Sequence, residues 1–185
     1  MLILRETMRA VGGRLAAGCV LLSLGVLGLG VCGAQDLRYL SQQAWSTEEG
    51  LPQSSVHGVA QTSDGYLWIA TEGGLARFDG VSFKVFHHAN EPAFASDDVC
   101  CLLATAGDGL WIGTADGVVQ MEHGKFRRFG VEDGLPNAMV VAIDSMGDGS
   151  IAVETSGGWA RWEQGRFREV ADLPVATNLI VGTEG

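Results

Sequence analysis

An internal repeat of about 42 residues limits what this chain can fold into more than any other feature of its sequence. The repeats open on apolar runs at Val56, Val99 and Val140, which lie 43 and 41 residues apart. Each opening run is followed by an Asp-Gly pair, a second apolar run and a later phenylalanine. The Asp-Gly pairs are 64–65, 108–109 and 148–149, the second runs are 67–71, 110–114 and 151–155, and the phenylalanines are Phe83, Phe126 and Phe167. Agreement at so many positions indicates three copies of one structural unit.

Each unit has the sequence of several short β-strands. Asp-Gly between two apolar runs is typical of a tight hairpin turn, because glycine readily adopts the positive φ that such turns require. In the first unit we predict antiparallel strands at about 56–61, 66–71, 75–78 and 82–86. No stretch after residue 36 has a sustained apolar period of 3.6 residues. A period of about 40–45 residues with four strands per unit is typical of a β-propeller blade, so we predict an all-β propeller.

The second strand of the first unit, Leu67–Ala70, is apolar without alternation. This pattern indicates a strand covered on both faces, as in a blade that lies between two others. We therefore predict that Trp68 and Trp111 are buried wedges between blades. The third unit has Ala152 in place of this tryptophan, and Trp159 in place of a smaller residue on the next strand. We interpret this exchange as a compensation of volume that places Ala152 next to Trp159.

The first 34 residues have the pattern of a secretory signal peptide. Three arginines precede an uncharged apolar run at 15–32, and small residues follow it. We predict a signal-peptide helix, cleavage between Ala34 and Gln35, and export to the periplasm. The alternative is a permanent membrane-spanning helix, since roughly 18 apolar residues just suffice to cross a bilayer. A lipoprotein site at Cys19 fits less well, because the apolar run before it is short.

The repeat also divides the chain into predicted segments. They are a signal peptide at 1–34, a lead-in at 35–47, blade 1 at 48–89, blade 2 at 90–130, blade 3 at 131–171 and the start of a fourth blade at 172–185. About three and a half blades are therefore present, whereas propellers close with about 4–8 blades. We expect an incomplete ring, that is, the N-terminal fragment of a longer protein whose remaining blades complete it.

The charge of the chain argues against one class of partner. The sequence contains 12 basic and 22 acidic residues, which gives a net charge of −10. A protein that binds nucleic acid or an anionic membrane surface needs a basic face, which this composition does not favour. With 46% hydrophobic residues, the chain is apolar enough to fold. We therefore expect a folded protein with no nucleic-acid partner.

The first unit carries a specific motif. Residues 48–56 read Glu-Glu-Gly-Leu-Pro-Gln-Ser-Ser-Val, and residues 63–80 read Ser-Asp-Gly-Tyr-Leu-Trp-Ile-Ala-Thr-Glu-Gly-Gly-Leu-Ala-Arg-Phe-Asp-Gly. This string resembles the two-component regulator propeller repeats of the exported sensor region of bacterial hybrid histidine kinases and related signalling proteins. The resemblance covers residues 40–185 and weakens in the third unit. It implies a periplasmic, ligand-sensing propeller followed, in complete members, by a membrane helix and cytoplasmic kinase or other output modules.

Few residues suggest reaction chemistry. His87 and His88 stand at the end of a strand, where neighbouring side chains diverge, and no third ligand is spaced to meet them. Cys100 and Cys101 are adjacent on a strand, so they should point to opposite faces and form no disulfide. Segment 144–149 resembles a calcium loop only faintly, and a turn explains it. We predict no catalytic residue, metal or cofactor, and the two other histidines, His57 and His123, suggest no site.

Three acidic pairs precede the first strands of the units, namely Glu48–Glu49, Asp97–Asp98 and Glu132–Asp133. At one repeat position they would line one rim of a ring and receive a cationic or polyhydroxylated ligand. The alternative is a solvated loop face. Because blades bury both faces, we predict any ligand on loops at one rim or in the central channel. Individual ligand-binding residues do not follow from the sequence.

Two classes of function remain. The leading hypothesis is a sensor, part of a periplasmic region of an inner-membrane protein, that binds an extracytoplasmic ligand and signals to membrane-linked output domains. Oligosaccharides are the first ligand class to test. The alternatives are a polysaccharide-active enzyme on a propeller scaffold and an extracellular scaffold that binds protein. The lack of catalytic motifs favours the non-enzymatic sensor.

Overall fold

A computed structural model describes residues 2–4 and 43–171. The chain divides into two compact units, one of residues 3–44 and one of residues 1–2 and 45–185. Strands β1 (Leu2–Leu4) and β2 (Gln43–Trp45) form a two-stranded sheet. Apart from β1, the predicted signal peptide lies outside the described residues, as do its cleavage site and the predicted start of a fourth blade. No helix among the described residues is long and apolar enough to cross a membrane.

Three four-stranded antiparallel sheets make up the unit that contains residues 45–171. Blade 1 consists of β3 (Val56–Gln61), β4 (Leu67–Thr71), β5 (Gly74–Phe78) and β6 (Phe83–Phe86). Blade 2 consists of β7 (Val99–Ala104), β8 (Leu110–Thr114), β9 (Gly117–Glu122) and β10 (Lys125–Phe129). Blade 3 consists of β11 (Val140–Ser145), β12 (Ile151–Thr155), β13 (Gly158–Glu163) and β14 (Arg166–Val170). In each blade the strands pair in chain order, which confirms the predicted all-β architecture.

The hairpin between the first two strands has the predicted glycine chemistry in two blades. Gly65 and Gly149, from the Asp-Gly pairs of blades 1 and 3, have φ values of +91° and +81°. In blade 2 the left-handed residue is instead Gly107, with φ +79°. The Asp108-Gly109 pair therefore comes one step after the residue that turns the chain.

The reversal between the second and third strands repeats in all three blades. The Thr71 hydroxyl donates to the carbonyl oxygen of Gly74 at 2.8 Å, and the next two blades repeat this bond at the same distance. The same hydroxyl accepts from the backbone N–H of Gly73 at 3.2 Å. Because the threonine is buried, its hydroxyl needs both partners. This explains why each second strand ends in threonine.

The first strands of successive blades are neighbours, because β7 contacts both β3 and β11. In each of these inner strands the register shifts directly after the first residue, at Val56, Val99 and Val140. Such a bulge re-aims the side chains that follow it. It therefore determines which residues face the next blade.

Tryptophan wedges fill the space between blades, as predicted. Trp68 is 2% exposed, and its ring centroid lies 5.9 Å from that of Phe86 in its own blade and 6.4 Å from Phe126 in blade 2. Trp111 is 4% exposed and lies 5.0 Å from Trp162 in blade 3. The burial of these two side chains confirms the interpretation of the apolar second strands.

The predicted compensation between Ala152 and Trp159 is wrong. The register of β12 and β13 places Ala152 opposite Arg161, and Trp159 opposite Glu154. Trp159 is only half-buried, while Ala152 is fully buried. The large side chain of blade 3 that fills an interface is instead Trp162, which packs against Trp111.

A further aromatic residue covers the opposite face of blade 1. The ring centroid of Trp45 in β2 lies 5.0 Å from that of Phe78. Phe129, at the end of β10, has the same relation to blade 3, with its centroid 4.7 Å from that of Trp162. Trp45 and Phe129 each stand six residues before a buried leucine of a Gly-Leu-Pro motif. Trp45 thus packs on blade 1 as the outer strand of blade 2 packs on blade 3.

Candidate functional site

A polar cluster lies where the inner strands of blades 1 and 2 begin. It consists of Gln53, His57, Glu72 and Asp98, and we refer to it as the rim cluster. His57 is the second residue of β3, and its Nδ1 atom lies 3.0 Å from the carbonyl oxygen of Val99. Because a carbonyl only accepts, Nδ1 carries the proton in this bond. The imidazole therefore links blade 1 to blade 2.

The equivalent position of blade 2 makes the equivalent bond. Cys100 is the second residue of β7, and its Sγ atom lies 3.3 Å from the carbonyl oxygen of Val140 in blade 3. The bulge after the first residue of each inner strand aims both side chains at the next blade. A small thiol fills this place at the second junction, whereas a polar ring fills it at the first.

Two carboxylates flank the imidazole of His57. Its Nε2 atom lies 3.6 Å from Glu72 Oε1, and its Nδ1 atom lies 3.9 Å from Asp98 Oδ1. Glu72 Oε2 accepts from Gln53 Nε2 at 3.0 Å. The side chains of Glu72 and Asp98 are about half exposed, at 53% and 50%. The rim cluster therefore offers carboxylate, imidazole and amide groups to solvent at one place.

These groups suit the recognition of hydroxyl groups or cations. Carboxylate oxygens accept hydrogen bonds, while the Gln53 amide and the His57 ring supply both kinds of hydrogen-bonding atom. Ala115 of blade 2 and Ser156 of blade 3 stand where blade 1 has Glu72. Among the three described blades, this combination of groups thus belongs to the junction of blades 1 and 2.

The acidic pairs do not share one repeat position. Glu48–Glu49 and Glu132–Asp133 lie in short 3-10 helices, Thr47–Glu49 and Val131–Asp133, well before their inner strands. Asp97–Asp98 directly precedes β7. The prediction of three equivalent pairs along one rim is therefore wrong.

The acidic residues of the 3-10 helices have local partners. Glu49 Oε2 accepts from the backbone N–H of Ser46 at 2.6 Å, and Asp133 Oδ2 accepts from the N–H of Gly130 at 3.0 Å. The Ser46 hydroxyl, with this N–H, holds the pKa of Glu49 below its usual value. These carboxylates close the first turn of a helix, which is the role of a capping box.

A small cleft lies between blades 1 and 2 at the opposite rim, near the Asp-Gly turns. Its volume is about 100 Å³, and its charged lining residues are Asp64, Arg77, Lys84 and Asp108. The guanidinium of Arg77 stacks 4.2 Å above the ring centroid of Tyr66. Two positive and two negative charges oppose one another here, so the cleft has no charge preference of its own.

Cys100 and Cys101 do not point to opposite faces. The bulge after Val99 brings their two Sγ atoms to 3.5 Å from each other. The prediction that these side chains point to opposite faces of the strand is therefore wrong. Both are free thiols. Their mutual hydrogen bond lowers the pKa of Cys100, while the same bond and burial raise the pKa of Cys101.

The segment resembling a calcium loop has a carboxylate that is already used. Asp148 Oδ1 accepts from the hydroxyl of Ser150 at 2.6 Å and from its N–H at 3.0 Å, and Oδ2 pairs with Arg161. These bonds, with that of the Ser150 hydroxyl foremost, lower the pKa of Asp148 to about 2. His123 lies 3.4 Å from Asp108 and is largely exposed.

Of the four rim-cluster residues, only Asp98 stood out in the sequence, as part of an acidic pair expected at a rim. His57 has no recognisable partner in the sequence, and neither Glu72 nor Gln53 belongs to a motif that predicts a site. The repeat contains one hint, because His57 and Cys100 occupy equivalent positions that face the next blade. Nothing in the spacing of Gln53 and Glu72 predicts their contact.

Comparison with known proteins identifies the repeat. The family model described as "Two component regulator propeller" matches residues 50–73. This range includes the turn before β3, the strands β3 and β4 and three of the four rim-cluster residues, Gln53, His57 and Glu72. Blade 1 contains a two-component regulator propeller repeat. The chain is also 44% identical, over 43 residues, to Histidine kinase P4 of Formosa agariphila. That match covers 23% of this chain and 3% of the kinase.

Solved structures share the propeller fold. The extracellular domain of a hybrid two-component system from B. thetaiotaomicron is 21% identical, with a TM-score of 0.63, over 71% of this chain and 19% of that domain. A streptogramin B lyase is 20% identical, with a TM-score of 0.52, over 68% of this chain and 43% of the lyase. The chain thus spans less than half the length of these relatives. An extracellular domain of a two-component system and a lyase share this fold, so the fold alone does not separate the two functions.

Proposed function

We propose that the chain forms part of the exported, ligand-sensing propeller of a two-component signal-transduction protein. The observation that carries this proposal is the two-component regulator propeller repeat at residues 50–73. The 44% identity to a histidine kinase over 43 residues supports the same class. The propeller would sense, and membrane-linked output domains of the same protein would respond.

Export to the periplasm is part of this proposal. The apolar run at 15–32 and the three arginines before it supply the signal, either as a cleaved peptide or as a membrane anchor. Fusion of alkaline phosphatase after residue 185 tests it, because this enzyme folds only where disulfides form. We expect activity with residues 1–34 present and none without them. Equal activity of both fusions would contradict export.

Further blades of the parent protein are the proposed partners of blade 1. Trp45 packs on blade 1 as Phe129 packs on blade 3, at centroid distances of 5.0 and 4.7 Å from equivalent aromatic rings. This equivalence supports the reading of β2 as the outer strand of a blade that precedes blade 1 in the ring. Its other strands would come from elsewhere in the parent chain, as ring closure requires.

The rim cluster is the proposed contact point for the ligand. Its two carboxylates, imidazole and amide suit a polyhydroxylated or cationic compound, and oligosaccharides are the first class to test. The cluster spans blades 1 and 2, so a ligand there would change how these blades are held together. Such a change is what a sensor needs in order to pass on a binding event.

A non-enzymatic role completes the proposal. The His57 Nδ1 proton is engaged by the Val99 carbonyl at 3.0 Å, and this bond serves the junction between blades. The alternative is a lyase or hydrolase on the same scaffold, since lyases are among the solved structures that share the propeller fold.

A thermal-shift screen of neutral and amino-substituted oligosaccharides tests the ligand proposal. We expect a compound that raises the melting temperature of the wild-type chain and has little effect on Glu72→Gln. Glu122→Gln is the matched control. Glu122 is exposed on β9, so this substitution removes the same charge at a place outside the rim cluster. A shift that persists in Glu72→Gln would place the ligand elsewhere. Consumption of the compound during the assay would favour the enzyme.

A further inference from the structure

The connection between blades 1 and 2 brings two histidines and an aspartate together. β6 ends at Phe86, and the chain then turns, because the backbone N–H of Asn90 donates to the carbonyl oxygen of His87 at 3.0 Å. His87 and His88 therefore lie in a turn and not on a strand. Their ring centroids are 6.1 Å apart. The expectation that adjacent side chains diverge there is wrong.

The third group is Asp97, nine residues further along the chain. Asp97 Oδ1 accepts from the backbone N–H of His88 at 2.7 Å, and Asp97 Oδ2 lies 2.7 Å from His88 Nδ1. One potential ligand atom from each of His87, His88 and Asp97 lies within 4.8 Å of the other two. The statement that no third ligand meets the histidines is therefore wrong as well.

These distances are close to those of a metal site. Ligand atoms bound at about 2.0–2.2 Å in a tetrahedral site are about 3.3–3.6 Å apart. The ligand atoms of His88 and Asp97, 2.7 Å apart, lie closer than this, and the ligand atom of His87, within 4.8 Å of both, needs a shift of at most about 1.2 Å to reach this range. The backbone N–H of His88 fixes the carboxylate, which is a common arrangement around metal ligands.

The chemistry of the three groups selects the class of metal. Two imidazoles and one carboxylate suit borderline divalent ions such as Zn²⁺, whereas Ca²⁺ and Mg²⁺ prefer oxygen ligands alone. The Asp97 carboxylate is only partly buried and His88 is exposed, so the ion has access to the groups and a fourth position remains for water.

We propose that His87, His88 and Asp97 form a binding site for Zn²⁺ or a similar divalent transition-metal ion. On binding, His88 Nδ1 exchanges its hydrogen bond to Asp97 Oδ2 for a bond to the metal, and the proton that it carried passes to Nε2 of the same ring or to solvent water. The ion also draws one ring nitrogen of His87, whose Nδ1 now accepts from the N–H of Ala89 at 3.2 Å. It thereby fastens the start of the connection, at His87, to its end, at Asp97.

The proposed metal site lies directly before the residues that join blades 1 and 2. Asp97 is followed directly by Asp98 of the rim cluster and by Val99, whose carbonyl binds His57. A bound ion would hold the backbone of these residues in place. The metal site shares no side chain with the rim cluster, so metal binding can be tested separately from the ligand proposed there.

Titration of the whole, tag-free chain with Co²⁺ and Zn²⁺ tests the proposal. We expect one Co²⁺ per chain, with visible absorption bands that Zn²⁺ abolishes by displacement. His88→Ala and Asp97→Asn should each weaken Co²⁺ binding by about tenfold or more. Asp97→Asn retains an oxygen that accepts the His88 N–H, so it separates loss of the ligand from loss of the turn. His123→Asn is the control, because asparagine tolerates the φ of +51° found at this exposed histidine.

A measurement on the wild-type chain guards against variants that do not fold. The electron paramagnetic resonance spectrum of one equivalent of Cu²⁺ should show coupling to two imidazole nitrogens. Coupling to no nitrogen, or Co²⁺ binding that is the same in the wild type and in both site variants, would overturn the proposal. Absence of stoichiometric binding at pH 7 would do so too.

Discussion

The connection from blade 2 to blade 3 and the connection from blade 1 to blade 2 perform the same task with different chemistry. Residues 130–139 follow β10, and residues 87–98 follow β6. Both bury one large apolar side chain under the next blade, Leu135 in one case and Phe94 in the other, each 2% exposed. Each of these stands five residues before the first residue of an inner strand. The anchor is thus common to both connections.

The differences lie between the outer strand and the anchor. In the connection to blade 3, Asp133 closes a 3-10 helix and Gly134 turns the chain with a φ of +100°. In the connection to blade 2, Ala93 stands where the other has glycine, and two additional residues separate the outer strand from the anchor. The chain there is held by the bonds of Asp97 to His88. A polar side-chain pair thus supplements the backbone turn that follows β6, and in doing so it creates a potential ligand set.

The junctions on either side of blade 2 differ in aromatic content, and removal of the wedges should have the largest effect. Trp111→Ala and Trp68→Ala should each lower the free energy of unfolding by about 3–5 kcal/mol. We expect the larger loss for Trp111, because three of its contacts are with aromatic rings: Phe129, Trp162 and Phe167. Urea denaturation followed by circular dichroism measures both. A loss below about 1 kcal/mol for Trp68 would contradict its role as a wedge.

The anchors should come next in size. Phe94→Ala and Leu135→Ala should each lower the free energy of unfolding by about 2–5 kcal/mol. Both residues are only 2% exposed, so removal of either side chain leaves a cavity. Phe94→Leu makes the two connections alike at this position and should cost less than Phe94→Ala. The same denaturation curves measure all three variants. If Phe94→Leu lowers the free energy of unfolding as much as Phe94→Ala does, the two anchors are not equivalent.

The closing carboxylates should have smaller effects. Asp133→Ala removes the acceptor for the Gly130 N–H and should cost about 0.5–2 kcal/mol, as other cap substitutions do. Asp97→Ala removes the acceptor of two bonds from His88 and should cost a similar amount. Asp97→Asn should recover part of this loss, since one bond is retained. Equal losses for Ala and Asn at position 97 would mean that the backbone bond contributes nothing.

Acid should reveal the smallest difference between the connections. Burial raises the pKa of Asp97, but the hydrogen bonds and charge of His88 outweigh this and leave the pKa below its usual value. Stability from Asp97 is therefore present above the unfolded pKa of about 3.9 and disappears as the pH falls through the lower folded value. Between pH 5 and pH 2 the wild type should lose more stability than Asp97→Asn. Parallel losses in both proteins would show that this carboxylate does not contribute.

Much of the fold could be predicted from the repeat. Glycine in the turn after the inner strand and threonine at the end of the second strand recur in all three blades, because each blade must turn in the same way. Tryptophan in the apolar run recurs in blades 1 and 2, where it packs in the same way. Trp68 and Trp111 were recognisable as wedges for this reason. A local pattern, repeated three times, carries this information within single segments of the chain.

The contacts at the candidate sites depend on the tertiary structure. A bulge that could not be predicted from the sequence brings the side chains of Cys100 and Cys101 together. The register of β12 with β13 separates Ala152 from Trp159. His88 meets Asp97 only because the turn after β6 reverses the chain. His57 meets Glu72 and Asp98 only because two blades lie side by side. Sequence periodicity determines what each strand buries, whereas turns, bulges and neighbouring blades decide which polar side chains meet.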